Sequence, residues 1–179
     1  MTSHRDEQAL CGWIWQSRDM AARDGDGWIQ CQCGSKHWGK FGAAGILIFR
    51  DSSDGRREIF LQHRAPWVHN GDTWGIPGGA KDSHESITEA ALREAHEETG
   101  ISSEHLTPLA LFSDDHGDWR YDTVLAAANP LLSADSPNDE SQEMRWVEVN
   151  EVTMLTLHPS FAKTWSDLRQ VLNDLVAPL

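Results

Sequence analysis

The segment from Gly79 to Ile101 constrains this chain strongly, because it places three glutamates on one face of a predicted helix. Glu94, Glu97 and Glu98 stand at positions i, i+3 and i+4, so their side chains fall within an arc of about 100°. Like charges at this spacing destabilise an isolated helix, and divalent cations offset the repulsion. The pattern favours a metal site, although these three residues alone also fit an acidic, solvated helix face.

A glycine turn stands directly before this helix. The segment Trp74–Gly79 has the pattern of a short strand ending in glycines, and the helix is predicted from Glu85 to Thr99 with Gly100 as its C-cap. Because glycine has no Cβ, the backbone at Gly78 can approach a ligand closely. Its carbonyl oxygen is therefore a further candidate metal ligand.

The complete spacing of this segment resembles the Nudix box, G-x5-E-x7-R-E-U-x-E-E-x-G-U, in which U is a bulky aliphatic residue. The fixed positions are filled, in order, by Gly79, Glu85, Arg93, Glu94, Glu97, Glu98, Gly100 and Ile101. Ala95 occupies the first U position and is smaller than the usual residue there. The chain is thereby identified as similar to the Nudix hydrolases over about residues 41–175, in their nucleotide-pool-cleaning, triphosphate-pyrophosphohydrolase branch.

The resemblance implies both a fold and a reaction. The fold is the α/β/α sandwich of the family, a mixed β-sheet between helices with a loop–helix motif at its centre. The reaction is Mg²⁺-dependent hydrolysis, with Mn²⁺ as a substitute, of the diphosphate linkage in a nucleoside diphosphate linked to another group X. A nucleoside triphosphate, including an oxidised one such as 8-oxo-dGTP, is favoured as substrate, giving a nucleoside monophosphate and pyrophosphate. ADP-ribose or another nucleotide sugar is the alternative substrate, and a non-catalytic nucleotide-sensing module is the alternative class.

The resemblance also implies roles for individual residues. Glu94 and Glu98 are the main metal ligands, and the Gly78 carbonyl and Glu97 assist them. Glu143 is similar to a glutamate outside the box that faces the metals in nucleotide-pool-cleaning members. It is therefore expected to be a second-site metal ligand or the base that activates water, so the expected catalytic set is Glu94, Glu97, Glu98 and Glu143.

Three further expectations concern the surroundings of these glutamates. Glu140 competes with Glu143 for the role outside the box, because the loop before it leaves the register open. Arg64 ends a strand that is similar to the family's phosphate-contacting strand, although an ordinary surface arginine fits the same pattern. Arg93 and Glu85 are expected to pair with each other and to hold the loop against the helix.

The rest of the chain has the pattern of strands and one more helix. Apolar runs predict strands over Gly45–Phe49, Ile59–Leu61, Leu109–Phe112, Tyr121–Ala127 and Arg145–Val149. Helical spacing predicts a C-terminal helix over residues 161–175 with Ser160 as its N-cap. Residues 133–141 are predicted to form a loop, and residues 113–121 a specificity loop. Residues 41–179 form the predicted Nudix domain, and residues 1–40 an extension that adds a strand, covers a sheet edge or contacts another subunit.

The extension contains all three cysteines of the chain. An odd number of cysteines does not indicate a disulfide framework. Cys31, Cys33 and His37 suggest a zinc knuckle, since a Cys-x-Cys pair in an extended chain presents both thiols on one face. Cys11 is a candidate fourth ligand from a distance. Free or buried thiols are the alternative.

The charge of the chain limits its partners. With 28 acidic and 15 basic residues, the formal net charge is −13, which disfavours nucleic-acid binding and leaves a small metal-bound anionic substrate. No apolar run approaches the ~20 residues of a membrane helix, and no secretory signal is evident, so a cytoplasmic location is expected. A homodimer is compatible with these features. Trp67, Trp74 and Trp119 are candidates for stacking on a base, with core packing as the alternative.

Overall fold

The structure is a computed structural model that describes residues 23–132 and 141–176. In chain order, its strands and helices are β1 (Trp28–Gln30), β2 (Lys36–Trp38), β3 (Ala43–Asp51), β4 (Arg57–Arg64), β5 (Trp74–Gly75), β6 (Gly78–Ala80), α1 (Ile87–Thr99), β7 (Leu106–Asp115), β8 (Arg120–Ala128), β9 (Ser141–Glu148) and α2 (Pro159–Asn173). Short 3₁₀ turns at Ser103–His105 and Val152–Met154 precede β7 and α2. Neither α-helix of this described part combines the length and the apolar character of a membrane span.

The main sheet has seven strands and is mixed. Its central path runs β5-β4-β3-β8-β7, with β6 added to β3 and β9 added to β4. β3 and β8 are parallel, and the other neighbours are antiparallel. β3 and β4 pair at one end, while at the other end β6 pairs with β3 and β5 pairs with β4. The glycine-bearing segment 74–80 therefore enters the sheet between β3 and β4.

The sheet lies between two hydrophobic cores. On one face, Leu47, Phe49 and Leu61 pack against Trp165 and Leu168 of α2. On the other face, the alternate residues of β3 and β4 pack against alanines of α1. Because each strand sends successive side chains to opposite faces, a sheet covered on both sides needs continuous apolar strands, as in the fully buried run 43–49. The predicted α/β/α sandwich with a mixed sheet is confirmed.

Helix α1 begins two residues later than the spacing predicts. Ser86 is its N-cap: the Ser86 hydroxyl accepts from the Glu89 N–H, and the Glu89 carboxylate accepts from the Ser86 N–H. This capping box satisfies amide groups that have no partner within the helix. Glu85 therefore stays outside the helix. Gly100 closes it in the left-handed conformation with φ 72°, as predicted.

The predicted N-cap of α2 is wrong. Ser160 lies inside the helix, and His158 is the N-cap, because its Nδ1 accepts a hydrogen bond from the Ser160 N–H at 3.3 Å. Pro159 takes the first helical position, where its missing N–H costs nothing. The predicted strands are all present but longer, and the Trp74–Gly79 strand is divided into β5 and β6. Ser141 begins β9, while residues 133–140 of the predicted loop lie outside the described residues.

The described part of the N-terminal extension forms a sheet of its own. β1 and β2 make an antiparallel hairpin in which Trp28 pairs with Trp38. A small third core, formed by Cys31, Ala43 and Trp119, joins this hairpin to the loop between β7 and β8. The hairpin thus packs against the rest of the domain without adding a strand to the main sheet. Residues 1–22, with Cys11, lie outside the described part.

Candidate active site

Helix α1 presents its three glutamates at different depths. Glu94 is buried, Glu98 is half-buried and Glu97 is exposed. On the sheet-facing side of the helix, Ala90, Ala91 and Ala95 are completely buried. The small Ala95, a departure from the bulky residue of the box pattern, is thus part of an alanine face that packs onto β3. This close packing fixes the position of the glutamates relative to the sheet.

Glu94 lies against the glycine turn. An ideal Cβ built on Gly79 would lie 2.7 Å from Oε1 of Glu94, so a side chain at this position would require the Glu94 carboxylate to move. Burial raises the pKa of the Glu94 carboxyl group, and the hydrogen bond from Arg93 opposes that effect. A carboxylate buried here needs positive charge beside it.

The carboxylate of Glu98 is hydrogen-bonded to residues of both β4 and β6. Its Oε2 accepts hydrogen bonds from Nε2 of Gln62, on β4, at 2.9 Å and from the N–H of Gly78, on β6, at 3.2 Å. A Cβ at Gly78 would lie 2.6 Å from Cα of Gly45, so this glycine too is required by close packing. The structure therefore brings Glu98 and the backbone of Gly78 together, as the sequence predicts.

The expected ion pair between Arg93 and Glu85 is present. Nε of Arg93 donates to Oε1 of Glu85 at 2.6 Å and Nη2 donates to Oε2 at 2.8 Å, while Nη2 also donates to the Ala80 carbonyl at 3.0 Å. This bidentate contact lowers the pKa of Glu85 and raises that of Arg93. It ties the loop after β6 to the helix.

Sequence reasoning missed Arg23. Its guanidinium group lies 3.4 Å from Oε1 of Glu94 and also forms an ion pair with Glu97. The residues that directly follow Arg23 are held in place by two hydrogen bonds. The Gly25 N–H donates to Oδ1 of Asp82, and the Ser83 N–H donates to Oδ1 of Asp24. Arg23 and Glu94 are 71 residues apart, so no local pattern could reveal this contact.

A cleft of about 540 Å³ opens beside the glycine turn. Gly78 and Gly79 form part of its wall and contact the carboxylates of Glu98 and Glu94, which are not themselves among the residues that line the cleft. Arg64 also lines the cleft. Its Nη2 donates to the His69 carbonyl at 3.3 Å, while its buried Nε has no hydrogen-bond partner within residues 23–132 and 141–176.

Glu143 is not brought to the other glutamates. It pairs with His63 across β4 and β9, and partners in a sheet share a face. His63 stacks on Trp74, which belongs to the core beneath α2. Gln62, in contrast, reaches Glu98 on the α1 face of the sheet. The half-exposed carboxylate of Glu143 lies 3.9 Å from Nη1 of Arg145. Glu140, the alternative to Glu143, lies outside the described residues.

Comparison with known proteins identifies this arrangement of carboxylates behind a glycine turn. The family model described as NUDIX domain matches residues 39–168. The chain belongs to the Nudix hydrolase family. Members of this family generally use divalent metal ions and act on small nucleotide substrates. The donor set on α1 suits such an ion, because hard divalent cations prefer carboxylate oxygens and a glycine turn lies beside Glu94 and Glu98.

Individual Nudix relatives cover most of this chain. A Mycobacterium tuberculosis (strain CDC 1551 / Oshkosh) protein named "Putative 8-oxo-dGTP diphosphatase 3" is 48% identical over 152 residues, 82% of this chain and 70% of the relative. A "Nucleoside triphosphate pyrophosphatase/Nudix hydrolase fusion protein" of Bifidobacterium longum (strain NCC 2705) is 41% identical over 155 residues, 84% of this chain and 32% of the relative. The crystal structure of the M. smegmatis Nudix hydrolase RenU has a TM-score of 0.81 and 42% identity, covering 87% of this chain and 99% of RenU.

The cysteine-bearing hairpin precedes the range matched by the Nudix family model. The structure brings Cys31, Cys33 and His37 together there, with their ligand atoms all within 4.8 Å of one another. Hydrogen bonding to His37 lowers the pKa of the Cys33 thiol to about 6, while desolvation raises the pKa of the Cys31 thiol to about 11. The two thiols thus have distinct environments.

The three tryptophans singled out in the sequence lie in different environments. Trp67 is exposed, and Trp74 is buried in the core beneath α2. Trp119 is largely buried but contributes to the wall of the cleft. The predicted specificity loop is shorter than expected, since β7 ends at Asp115 and β8 begins at Arg120.

Proposed function

We propose that the chain hydrolyses a nucleoside triphosphate, including oxidised forms such as 8-oxo-dGTP, to a nucleoside monophosphate and pyrophosphate with Mg²⁺ as cofactor and Mn²⁺ as a substitute. The observation that carries the proposal is the contact of Glu94 and Glu98 with Gly79 and Gly78, the two glycines that line the cleft. The names of the relatives from M. tuberculosis and B. longum support the choice of a triphosphate within the family.

In this proposal the metal site consists of Glu94, Glu97, Glu98 and the carbonyl oxygen of Gly78. When bound by these residues, a divalent ion would neutralise phosphate charge and would lower the pKa of a water bound to it. The protein's own contribution is mainly positioning. The Gln62 and Gly78 contacts orient the Glu98 carboxylate, and Arg93 orients that of Glu94.

Glu97 and Arg64 have the remaining roles. Glu97 has the most exposed carboxylate of the three on α1, so we assign it the orientation of the attacking water and acceptance of its proton. Arg64 binds a phosphate oxygen through the guanidinium group whose Nε has no partner among the described residues. Water adds to the α-phosphorus, and the phosphoanhydride bond between the α-phosphorus and the bridging oxygen breaks. Pyrophosphate leaves with that oxygen. Glu143 is left out of this catalytic set, because it shares a face with His63 and not with Gln62.

The cleft has a size suited to a nucleotide. A volume of about 540 Å³ lies within the range of small-molecule sites. The wall of the cleft also includes the rings of His37 and Trp119, which stack on each other in parallel at 4.1 Å. Such a wall offers an apolar surface for the nucleoside part, while the glycine turn faces the phosphates.

We further infer that the substrate is a small nucleotide and not a nucleic acid. The formal charge of −13 repels a polyanion, whereas a triphosphate already carrying metal ions approaches with its charge reduced. A cytoplasmic location fits such a substrate. A homodimer stays a prediction, and gel filtration with light scattering tests it.

A substrate panel tests the proposed reaction. The full chain is assayed with Mg²⁺ on nucleoside triphosphates, oxidised triphosphates, ADP-ribose, NADH and dinucleoside polyphosphates, with products separated and identified. Release of pyrophosphate and a monophosphate from a triphosphate is the expected result, and Glu98→Gln serves as the inactive control. Preferred formation of AMP and ribose 5-phosphate from ADP-ribose would overturn the choice of substrate. Absence of turnover on the whole panel would overturn the catalytic assignment.

A further inference from the structure

The hairpin of β1 and β2 carries metal-ligating side chains that α1 and the proposed reaction do not use. Sγ of Cys31, Sγ of Cys33 and a ring nitrogen of His37 all lie within 4.8 Å of one another. Sγ of Cys33 is 3.1 Å from Nε2 of His37. Cys31 is buried, Cys33 is exposed and His37 is half-buried, so the group reaches from the small core to the surface.

The backbone of the hairpin brings the two thiols together. Cys31 N–H donates to the Ser35 carbonyl, and Gly34 N–H donates to the Cys31 carbonyl, both at 3.0 Å, which closes a tight turn. Gly34 has φ +90°, a conformation that side-chain-bearing residues rarely adopt. The Cys33 N–H points at Sγ of Cys31, 3.4 Å away. The turn is therefore arranged so that both sulfur atoms converge on one position.

A second segment adds two more donors from the other side. The loop between β7 and β8 places Oδ1 of Asp118 2.8 Å from Sγ of Cys31, and the Asp118 carboxylate also accepts from the Gln32 N–H. In the same loop, the His116 carbonyl lies 3.6 Å from Sγ of Cys31, and the His116 ring is 4.6 Å from that of His37, centroid to centroid. Nε2 of His116 lies 3.2 Å from Oδ2 of Asp114. Three ligands of the hairpin thus share one small volume, and Asp118 and His116 of the loop lie beside it.

We propose that Cys31, Cys33 and His37 bind one zinc ion, whose fourth ligand comes from the β7–β8 loop as Asp118 or His116. Structural zinc sites are tetrahedral and closed by four protein ligands, with thiolates and imidazoles as the usual donors. These soft donors select zinc over Mg²⁺, which prefers the carboxylates of α1. The contact from His116 to Asp114 matches the outer hydrogen bond by which metal-binding histidines are usually oriented.

A zinc ion at this position would connect the hairpin to the wall of the cleft. His37 stacks on Trp119, and Nε1 of Trp119 donates to the Gly39 carbonyl at 2.9 Å. His37, His116 and Trp119 all line the cleft, whereas the glutamates of α1 are not among its lining residues. The expected role is therefore structural: zinc fixes the wall, and it takes no part in the attack on phosphorus. The proposal does not depend on which nucleotide the cleft accepts.

Metal analysis of the full chain, produced without a histidine tag, tests the proposal. Mass spectrometry of the metals should find one zinc per chain after extensive dialysis. Cys33→Ser and His37→Ala should each weaken zinc affinity by more than about tenfold in competition with a chromogenic chelator, since even outer-sphere changes cost about 10–100-fold. Cys11→Ser is the matched control and should keep full zinc content. Loss of zinc in Cys11→Ser would overturn the loop as the source of the fourth ligand.

Cobalt substitution and two loop variants complete the test. The Co²⁺ form of the wild-type chain should show thiolate charge-transfer bands and the visible spectrum of tetrahedral coordination, a measurement that holds even if a variant does not fold. Zinc affinity should fall in either Asp118→Asn or His116→Ala, which identifies the fourth ligand. Unchanged affinity in both variants overturns the loop assignment. A wild-type chain with zinc content far below one per chain, or with a Cys31–Cys33 disulfide found by mass, overturns the site.

Discussion

Gly79 and Glu94 are in close contact, since a Cβ at position 79 would lie 2.7 Å from Oε1 of Glu94. The glycine belongs to β6 and lines the cleft, whereas the glutamate belongs to α1 and is not among the residues that line it. The two residues therefore act as a unit in which a glycine leaves room for a buried carboxylate close to the cleft.

Gly79→Ala should displace the Glu94 carboxylate. The added methyl group meets the oxygen atoms of a buried side chain that Arg93 holds in place, so the carboxylate must move away from the cleft. We expect weaker binding of Mn²⁺ and a reduced kcat with the fold retained, measured by metal titration and circular dichroism. Gly75→Ala is the matched control, because its Cβ would make an ordinary contact at 3.6 Å. Equal Mn²⁺ affinity in the two variants would show that Glu94 does not hold the metal.

Glu98→Gln and Glu94→Gln should lower kcat by at least ~100-fold, which corresponds to about 2.7 kcal/mol of lost transition-state stabilisation. Glutamine keeps the size of the side chain and removes the charge that the metal requires. Glu143→Gln is the matched control, since this half-exposed carboxylate faces the α2 side of the sheet. Its activity should stay within a few-fold of the wild type in the same steady-state assay. A large loss in Glu143→Gln would restore the role that the family resemblance implies for it.

The site on α1 could be predicted because its information is local. Helical spacing alone places Glu94, Glu97 and Glu98 on one face, and the box pattern adds the glycine turn before them. The Arg93–Glu85 pair was expected because the resemblance to the box implies it, and it joins residues only eight positions apart.

Contacts that depend on register or on distant segments could not be predicted in this way. The side of the sheet to which Glu143 points depends on the pairing of β4 with β9, whose register shifts between His63 and Arg64. Arg23 reaches Glu97 across 74 residues. The loop residues that approach Cys31 lie more than 80 positions after it in the chain. Only the assembled sheet brings such pairs together.

Arg23→Ala should strengthen metal binding. The Arg23 guanidinium group neutralises Glu94 and Glu97, so a divalent ion must compete with it for these carboxylates. Because the arginine is partly exposed, the effect should be modest, about two- to fivefold in the Kd for Mg²⁺ or Mn²⁺, and should shrink at high salt. Arg56→Ala, which removes ion pairs with Asp54 and Glu148, is the control. Weaker metal binding in Arg23→Ala would contradict this competition.

Arg64→Gln should raise KM by about tenfold or more, with a smaller change in kcat, if its guanidinium group binds a phosphate. A hydrogen bond to a charged group contributes about 1.5–3 kcal/mol, which sets this scale. Arg169→Gln, on α2 beside Asn150, provides the control and should leave both constants unchanged. Steady-state kinetics on the preferred substrate of the panel measure the effect. An unchanged KM in Arg64→Gln would make Arg64 an ordinary arginine at the cleft.

His158 should make the stability of the chain depend on pH. Its Nδ1 accepts from the Ser160 N–H, and its Nε2 lies 3.0 Å from the Asn70 side chain. Burial, with the nearby charge of Arg64, lowers the pKa of His158 to about 4 from 6.5. Between these values the unfolded chain binds a proton that the native chain does not, so this contribution to stability is present above pH 6.5 and is lost as the pH falls towards 4.

Urea unfolding between pH 7 and pH 4.5 measures this effect through a comparison with His158→Asn. Asparagine is a good N-cap and does not titrate in this range, so other histidines and the carboxylates contribute equally to both curves. The wild type should lose on the order of 1–2 kcal/mol more than His158→Asn on acidification, a value reduced from the full pKa difference because the imidazole is only partly buried. Parallel curves for the two proteins would show that His158 is protonated in the native state as readily as in the unfolded chain.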